Sequence, residues 1–429
     1  MKLKKLNIES YRHLQDLKFD FTYPHGHIKE GKPLEKICLI GQSATGKTSI
    51  LELIKNNLAK LVKTEIINGK YFWHYFDLDF KGEVEYITLT GNLLAKNDLV
   101  VVNDYVIENF PGNSIAGTVG NLLTDTLKLL YLSSELISKE TIGIFNQNPI
   151  NIIDSFSKDQ DYKISKTQTD STYIYEFVQD ISADIWFRLL YNILDYRKRF
   201  TQMASEAINK GSLADVNRLA KEFSKWSEAN KNPLEPFATK FNPVLSRLNL
   251  EIDLINTEYS IPLKRKEKDE VIPIQGLSTG TKGLLLSMFL LWELDTQDAI
   301  VLVDEPERSL FPDMQIDLIG HYRRFAPESQ IIVATHSPFI AAAFEPEERF
   351  ILYFDKQGEV NVRRGESPIG DDPNDMLKND FNVSYYNEFG KQAYQEYLGL
   401  KAKVIQEKDE KRKNDLVIKM VELGDKYNF

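Results

Sequence analysis

The sequence is poor in cysteine: Cys38 is the one thiol among 429 residues, which excludes a disulfide framework. It also lacks an apolar run near the roughly 20 residues that a membrane-crossing helix needs, and its first residues alternate Lys with Leu instead of forming a signal sequence. Basic residues are outnumbered, since 53 Lys and Arg against 63 Asp and Glu give a net charge of −10. Dedicated nucleic-acid binders are more often basic. We therefore expect a cytoplasmic protein without membrane contact.

A glycine-rich loop follows the apolar run at 37–40 and has the spacing G-x-x-x-x-G-K-[ST]. Apolar residues with helical spacing come next, so the motif has the strand–loop–helix context of a phosphate-binding loop. Its N–H groups would point at a phosphate from a helix N-terminus. Lys47 is expected to reach the β- and γ-phosphates, and the Thr48 hydroxyl to hold Mg²⁺. The candidate nucleotide-binding residues are Gly41, Gln42, Ser43, Ala44, Thr45, Gly46, Lys47, Thr48 and Ser49.

A second motif is the continuous apolar run 300–303, which predicts a strand buried on both faces of a parallel sheet. Two carboxylates end it. Asp304 is placed to bind Mg²⁺, and Glu305, which points elsewhere, is a candidate general base. An ordinary acidic turn after a strand is the alternative, and the phosphate loop upstream makes it the weaker one.

Two further segments carry candidate site residues. The run Gly-Leu-Ser-Thr-Gly-Thr-Lys-Gly at 276–283 precedes an apolar stretch that predicts a buried helix. Ser278, Thr279 and Gly280 at its N-terminus would form a second anion site, although a helix cap alone explains the segment equally well in isolation. The apolar run 331–334 predicts another strand, and it leads into His336.

The order of these four motifs resembles that of ABC-type ATPases, in which a phosphate loop, a signature segment, an acidic strand and a switch histidine follow one another. Thr-His-Ser-Pro at 335–338 and Asp-Glu-Pro-Glu-x-x-Leu-Phe-Pro at 304–312 are similar to the SMC/RecF/OLD-like branch. That branch usually has histidine at the position of Phe311. The first 14 residues look like the opening strand and turn of RecF-like heads, which adds Arg12 to the candidate nucleotide-binding residues.

This resemblance implies an α/β fold: an ABC-type P-loop ATPase head with an inserted helical region and a helical C-terminal tail. It implies ATP and Mg²⁺ as cofactors, slow ATP hydrolysis, Glu305 and His336 as catalytic residues, and Thr48 and Asp304 as metal ligands. In that superfamily the signature caps the γ-phosphate bound to the opposite subunit. Ser278–Gly280 would then act in trans, in a homodimer or a higher homo-oligomer.

Among small ABC ATPases without a nuclease module, the nearest resemblance is to PtuA-like ATPases of bacterial anti-phage systems (Septu and some retrons). It implies a separately encoded effector, a nuclease or a toxin. Two alternatives stay open: a RecF-like DNA repair ATPase that binds DNA directly, and a low-turnover ATP-sensing scaffold that controls a toxin. The best candidate for nucleic-acid contact is the basic run 264–268, for which a solvated hairpin turn is the favoured interpretation.

The motifs also divide the chain. We expect an N-terminal ATPase lobe at 1–145, a helical insertion at 146–262, a C-terminal ATPase lobe at 263–365 and a helical tail at 366–429. A strand at 127–135 would precede the glutamine loop of ABC heads, for which Gln147 is the nearest candidate. In the tail, Asp372 is expected to cap a helix that has Pro373 in its first position.

Overall fold

The computed structural model describes residues 1–61, 65–67, 70–72, 79–97, 99–108, 119, 127–136, 173–177, 183–210, 215–255, 259, 261–268, 270–383 and 387–427. The chain divides into two units, Met1–Gly370 and Asp371–Phe429.

The strands are β1 (Lys2–Tyr11), β2 (Leu14–Asp20), β3 (Lys36–Gly41), β4 (Glu65–Ile67), β5 (Lys70–Phe72), β6 (Phe80–Ile87), β7 (Asn92–Lys96), β8 (Leu99–Val102), β9 (Tyr105–Glu108), β10 (Lys128–Leu132), β11 (Tyr173–Phe177), β12 (Leu250–Ile252), β13 (Leu263–Arg265), β14 (Val271–Ile272), β15 (Ile300–Asp304), β16 (Gln330–Thr335), β17 (Arg349–Phe354) and β18 (Val360–Arg364). The α-helices are α1 (Lys47–Leu61), α2 (Ala183–Asn209), α3 (Val216–Ala229), α4 (Leu234–Leu245), α5 (Thr279–Glu293), α6 (Pro312–Ile316), α7 (Leu318–Phe325), α8 (Pro338–Ala341), α9 (Pro373–Asn379), α10 (Glu388–Gln406) and α11 (Glu410–Tyr427). Short 3₁₀ turns lie at Ser246–Leu248, Ile274–Gly276 and Pro346–Glu348.

The apolar runs predicted as buried strands form the middle of a nine-stranded sheet with the order β18-β17-β3-β16-β15-β10-β11-β4-β5. The strands from β17 to β4 are parallel, and an antiparallel strand closes each edge. Every residue of β10, β15 and β16 is buried, as expected for parallel strands that are covered on both faces. Because β3, β16 and β15 are neighbours and parallel, the segments that follow them meet at one edge of the sheet.

A second, antiparallel sheet has the order β2-β1-β6-β7-β8-β9. One hydrophobic core joins its inward-facing side chains to those of α1 and of the central sheet. The Tyr86 hydroxyl of β6 lies 3.2 Å from Asn57 Oδ1 of α1. Helix α1, which begins in the phosphate loop, is therefore held between two sheets, and this fixes the loop.

Helices α4, α5 and α7 pack together in the same unit. The ring of Phe289 in α5 contacts that of Phe237 in α4, with 5.7 Å between centroids, and Phe241 and Phe325 lie 4.7 Å apart. Eight successive residues of α5, from Leu284 to Leu291, are buried. This confirms the predicted buried helix, since a helix that is apolar all round must be covered on every side.

The expected insertion at 146–262 is only in part helical. Helices α2, α3 and α4 agree with the prediction, whereas the described part before them forms β11, which pairs in parallel with β10 and β4. The prediction of a helical insertion is wrong for residues 173–177, because this segment, with aromatic side chains at 173, 175 and 177, extends the central sheet. Gln147, the nearest candidate for the glutamine loop, lies outside the described residues.

The second unit, Asp371–Phe429, consists of α9, α10 and α11. The Asp372 carboxylate accepts a hydrogen bond from the N–H of Asn374 at 2.8 Å, and Pro373 begins α9, as predicted. Helices α10 and α11 pack against each other. Throughout the described part of the chain, no helix combines the length and apolar character needed to cross a membrane.

Candidate functional site

The loop between β3 and α1 has a shape that its own residues enforce. Gly46 has φ +88°, and a Cβ atom there would lie 2.8 Å from Leu14 Cδ2, so that only glycine fits. The buried Thr45 donates its hydroxyl hydrogen bond to the Gln42 carbonyl at 2.8 Å. Thr45 thus closes the loop through its side chain, while Gln42, Ser43 and Ala44 are exposed.

Lys47 is folded back over this loop. Its Nζ lies 3.0 Å from the Gly41 carbonyl and 3.1 Å from that of Gln42, and only 6% of the residue is exposed. Burial lowers the pKa of Lys47 to about 8, and the carboxylates of Glu305, Asp304 and Glu307 counteract only part of that effect. A buried ammonium group short of counter-charge is suited to a phosphate anion, which would supply that charge.

Thr48 and Asp304, predicted as metal ligands, are brought together from positions 256 residues apart. The Thr48 hydroxyl lies 3.1 Å and 3.0 Å from the two carboxylate oxygens of Asp304. Burial raises the pKa of Asp304 to about 6 despite this hydrogen bond. Hydroxyl and carboxylate oxygens are ligands that Mg²⁺ prefers, so this pair fits the cation. When bound, Mg²⁺ would neutralise charge on the β- and γ-phosphates.

The raised pKa of Asp304 predicts that ATP hydrolysis slows at acidic pH. At limiting Mg²⁺, kcat/KM for ATP should fall as the pH drops through about 6, because protonated Asp304 cannot bind the cation. Raising the Mg²⁺ concentration should move this inflection to lower pH, since a cation favours the charged carboxylate. Rates measured from about pH 5 to about pH 8 at two Mg²⁺ concentrations test this. An inflection that ignores Mg²⁺ would assign the acid limb to another group.

Glu305 and His336 lie at the ends of the neighbouring strands β15 and β16. Glu305 adopts φ +45°, a conformation that residues other than glycine rarely adopt, and its N–H donates to the Ala334 carbonyl at 2.8 Å. Its Oε1 lies 3.7 Å from His336 Nε2. Burial lowers the pKa of His336, and Lys47 lowers it further. The two predicted catalytic side chains therefore face each other beside the phosphate loop.

The predicted signature forms the start of α5. Ser278 is the N-cap, and its hydroxyl accepts from the N–H of Thr281 at 3.2 Å. Gly280 lies so close to the next loop that a Cβ atom would be 2.0 Å from the Ser309 carbonyl oxygen. A cavity of about 250 Å³ borders Thr279, Gly280, Asp304 and Glu305, while none of the phosphate-loop residues 41–49 lines it. The side chains of Ser278 and Thr279 are exposed.

Arg12 lies beside the first turn of α1. Its Nη1 is 3.2 Å from Ser49 Oγ and forms an ion pair with Glu52. Half of the Arg12 side chain is exposed. The structure thus brings Arg12 to the end of the predicted nucleotide-binding segment, where Glu52 holds it.

Sequence reasoning missed Glu307, whose Oε1 accepts a hydrogen bond from the backbone N–H of His336 at 2.7 Å. The available signal was the second glutamate of Asp-Glu-Pro-Glu. It also missed Arg308, which contacts the Ser134 carbonyl at 3.3 Å and Glu135 at 3.7 Å just after β10. Phe311 is 75% exposed and precedes α6 without a side-chain cap.

The fold and the convergence of phosphate loop, lysine and acidic strand define a P-loop ATPase of α/β class. Residues 1–341 match the family described as AAA ATPase domain, and the chain belongs to that family.

No curated protein matches the chain significantly. Similar solved structures include an SMC head bound to the C-winged helix domain of ScpA, with 13% identity over 85% of this chain and 97% of that chain and a TM-score of 0.41. A Pyrococcus furiosus Smc head with an extended coiled coil, bound to the C-terminal domain of ScpA, has 14% identity over 85% and 96%, also with a TM-score of 0.41. The SMC head of Thermotoga maritima has 13% identity over 86% and 100%, with a TM-score of 0.39.

Proposed function

We propose that this chain hydrolyses ATP between two copies of itself, and that the ATP-bound dimer controls a separately encoded effector, a nuclease in anti-phage defence. The observation that carries the proposal is the convergence of Lys47, Thr48, Asp304, Glu305 and His336 at one edge of the central sheet. These side chains supply what phosphoryl transfer to water requires: anion binding, metal ligands and a base.

The chemical step follows from this arrangement. The N–H groups of the phosphate loop and Lys47 bind the phosphate oxygens and hold the γ-phosphate in place. Glu305 accepts a proton from a water molecule whose oxygen attacks the γ-phosphorus, while the bond to the β–γ bridging oxygen breaks. ADP and inorganic phosphate result, and Glu305 then returns its proton to solvent. His336, whose Nε2 lies 3.7 Å from Glu305 Oε1, would contact the same phosphate.

The involvement of a second copy is inferred from the signature. Ser278 and Thr279 are exposed at the N-terminus of α5, a 15-residue helix whose dipole favours an anion. The cavity beside Thr279 is lined by Asp304 and Glu305, but by no residue of the phosphate loop. A phosphate held by another copy would fit this terminus, and a twofold axis then gives two equivalent sites. ATP would stabilise the dimer, and hydrolysis would release it.

The effector is proposed from the motif resemblance to PtuA-like ATPases. Direct DNA binding has less support, because two basic residues of the run 264–268, which covers the end of β13 and the turn toward β14, have acidic partners. Lys264 pairs with Glu251 at 3.4 Å, and Arg265 pairs with Glu270 at 3.5 Å. Charges that are already paired attract a phosphate backbone less strongly than free ones.

Native mass measurement of the Glu305→Gln variant, with and without Mg-ATP and with the products of neighbouring genes, tests the proposal. We expect a dimer or a larger assembly with Mg-ATP that retains the effector, and no such assembly with ADP. A protein that binds ATP and stays monomeric would refute the two-copy site. A dimer that retains no partner would leave the ATPase standing and refute effector control.

A further inference from the structure

The carboxyl group of Glu307 turns back from the end of β15 onto the end of β16. Besides accepting the His336 N–H at 2.7 Å, it is hydrogen-bonded to the Thr335 side chain. Its other oxygen, Oε2, is buried, and among the described residues no hydrogen-bond partner reaches it. A buried oxygen without a hydrogen-bond partner costs free energy, because it has lost its contact with water. The folded protein tolerates this cost at Glu307, whose other oxygen holds the backbone N–H of His336.

The backbone explains why Glu307 can reach this position. β15 and β16 pair in register up to Asp304 and Ala334, and the N–H of Glu305 donates one more bond to Ala334. The positive φ of Glu305 then turns the chain, so that the side chain of Glu307 crosses back to the next strand. Two hydrogen bonds thus join the ends of β15 and β16, one from the backbone N–H of Glu305 and one to the side chain of Glu307.

The residues on either side of His336 are also anchored by contacts that do not involve Glu307. Thr335 belongs to β16, and Ser337 caps α8 while its hydroxyl donates to Gln315 Oε1 at 2.6 Å. His336 itself lies between these anchors with 39% of its side chain exposed. Loss of the Glu307 bond should therefore shift this residue locally and leave the sheet intact.

We propose that Glu307 is a positioning residue for ATP hydrolysis: by holding the N–H of His336, it sets the distance between the His336 ring and the Glu305 carboxylate. This rests on the proposed ATPase function. Glu307 acts through its hydrogen bond and not through its charge, so a glutamine, which keeps the acceptor oxygen, should replace it. An aspartate keeps the charge, but its side chain is one methylene shorter, so its carboxylate oxygen no longer reaches the His336 N–H.

The first measurement is amide hydrogen exchange, which needs no ATP turnover. The chain has six histidines, so ¹⁵N-histidine labelling gives six amide signals, of which five serve as internal controls. In Glu307→Ala and Glu307→Asp, the His336 amide should exchange about tenfold faster or more, because its hydrogen bond is lost. In Glu307→Gln it should stay within about threefold of the wild type.

The second measurement is the ATPase rate of the same variants, with the exposed Glu359→Ala as a matched control. Glu307→Ala and Glu307→Asp should lower kcat by about 10- to 100-fold with ATP affinity within about threefold, as for loss of other positioning contacts. Glu307→Gln should stay within about fivefold. In a protein that already carries His336→Ala, adding Glu307→Ala should lower kcat little further, because Glu307 acts through His336.

Three outcomes would overturn the proposal: unchanged His336 exchange in Glu307→Ala, a Glu307→Gln variant as impaired as Glu307→Ala, or full activity in Glu307→Asp. If Glu307→Ala does not fold, the proposal is still tested by Glu307→Gln and Glu307→Asp, for which it predicts opposite results. Failure of the proposed ATPase function has a different signature: wild type and Glu305→Gln would share one background rate, while hydrogen exchange still reports whether Glu307 holds His336.

Discussion

Glu305→Gln is expected to lower kcat for ATP hydrolysis by between about 10² and 10⁴-fold, the usual contribution of a general base. The amide cannot accept the proton of the attacking water. ATP should still bind, because Lys47 and the Thr48–Asp304 pair are untouched and the amide is nearly isosteric with the carboxylate. Single-turnover hydrolysis and nucleotide binding, measured on the same preparation, separate the chemical step from affinity.

Glu359→Gln is the matched control for this prediction, because Glu359 is exposed on the turn before β18. It should leave both rate and affinity unchanged. If Glu305→Gln retained more than about a tenth of the wild-type kcat, the base would have to be another group, since tenfold is well below the general-base range. Glu307 would be the next residue to test, as the other carboxyl group beside His336.

Lys47→Ala is expected to weaken ATP binding by about 30-fold to more than 10³-fold, which corresponds to the loss of one buried, hydrogen-bonded charge partner. The amine lies over the loop with 6% of the residue exposed, and no other described lysine shares its contacts with Gly41 and Gln42. Binding should also weaken above about pH 8, where free Lys47 loses its proton. Titration with a fluorescent ATP analogue measures both effects.

Stability separates this loss of binding from unfolding. A lysine whose pKa is lowered by burial destabilises the folded protein at neutral pH, because its charged form is disfavoured there. The nucleotide-free Lys47→Ala variant should therefore have a Tm equal to or above that of the wild type. Lys60→Ala, in the last turn of the same helix, should bind ATP normally. A lower Tm in Lys47→Ala would mean that the amine supports the loop structure.

The parts of the site that could be predicted from sequence are those with a strong local pattern. A buried apolar run followed by a glycine-rich loop or by two carboxylates predicts both the strand and the chemistry at its end. Parallel strands then bring these ends to one edge, so Thr48 and Asp304 meet although they are 256 residues apart. The Ser278 cap and the Asp372 cap follow from local side-chain chemistry in the same way.

The parts that could not be predicted depend on backbone details and on neighbours in space. Glu307 reaches His336 because Glu305 adopts a positive φ, which no spacing rule specifies. The need for glycine at 280 arises from the approach of the Ser309 carbonyl. β11 lies within the predicted helical insertion at 146–262, because its five residues form a strand only through pairing with β10 and β4. In each of these cases a tertiary contact determines the local structure, and the local sequence pattern gives little indication of it.

The central claim is that the phosphate loop of one copy works with the signature of another, and mixing two inactive variants tests it most directly. Lys47→Ala lacks a working phosphate loop, and Ser278→Arg lacks a working signature. Each should be inactive alone, but a mixed dimer has one complete site. An equal mixture should therefore recover up to about a quarter of the wild-type rate per chain, because half of the dimers are mixed and each has one site of two. Hydrolysis by Ser278→Arg alone, or no recovery from mixtures that form dimers, would contradict the claim.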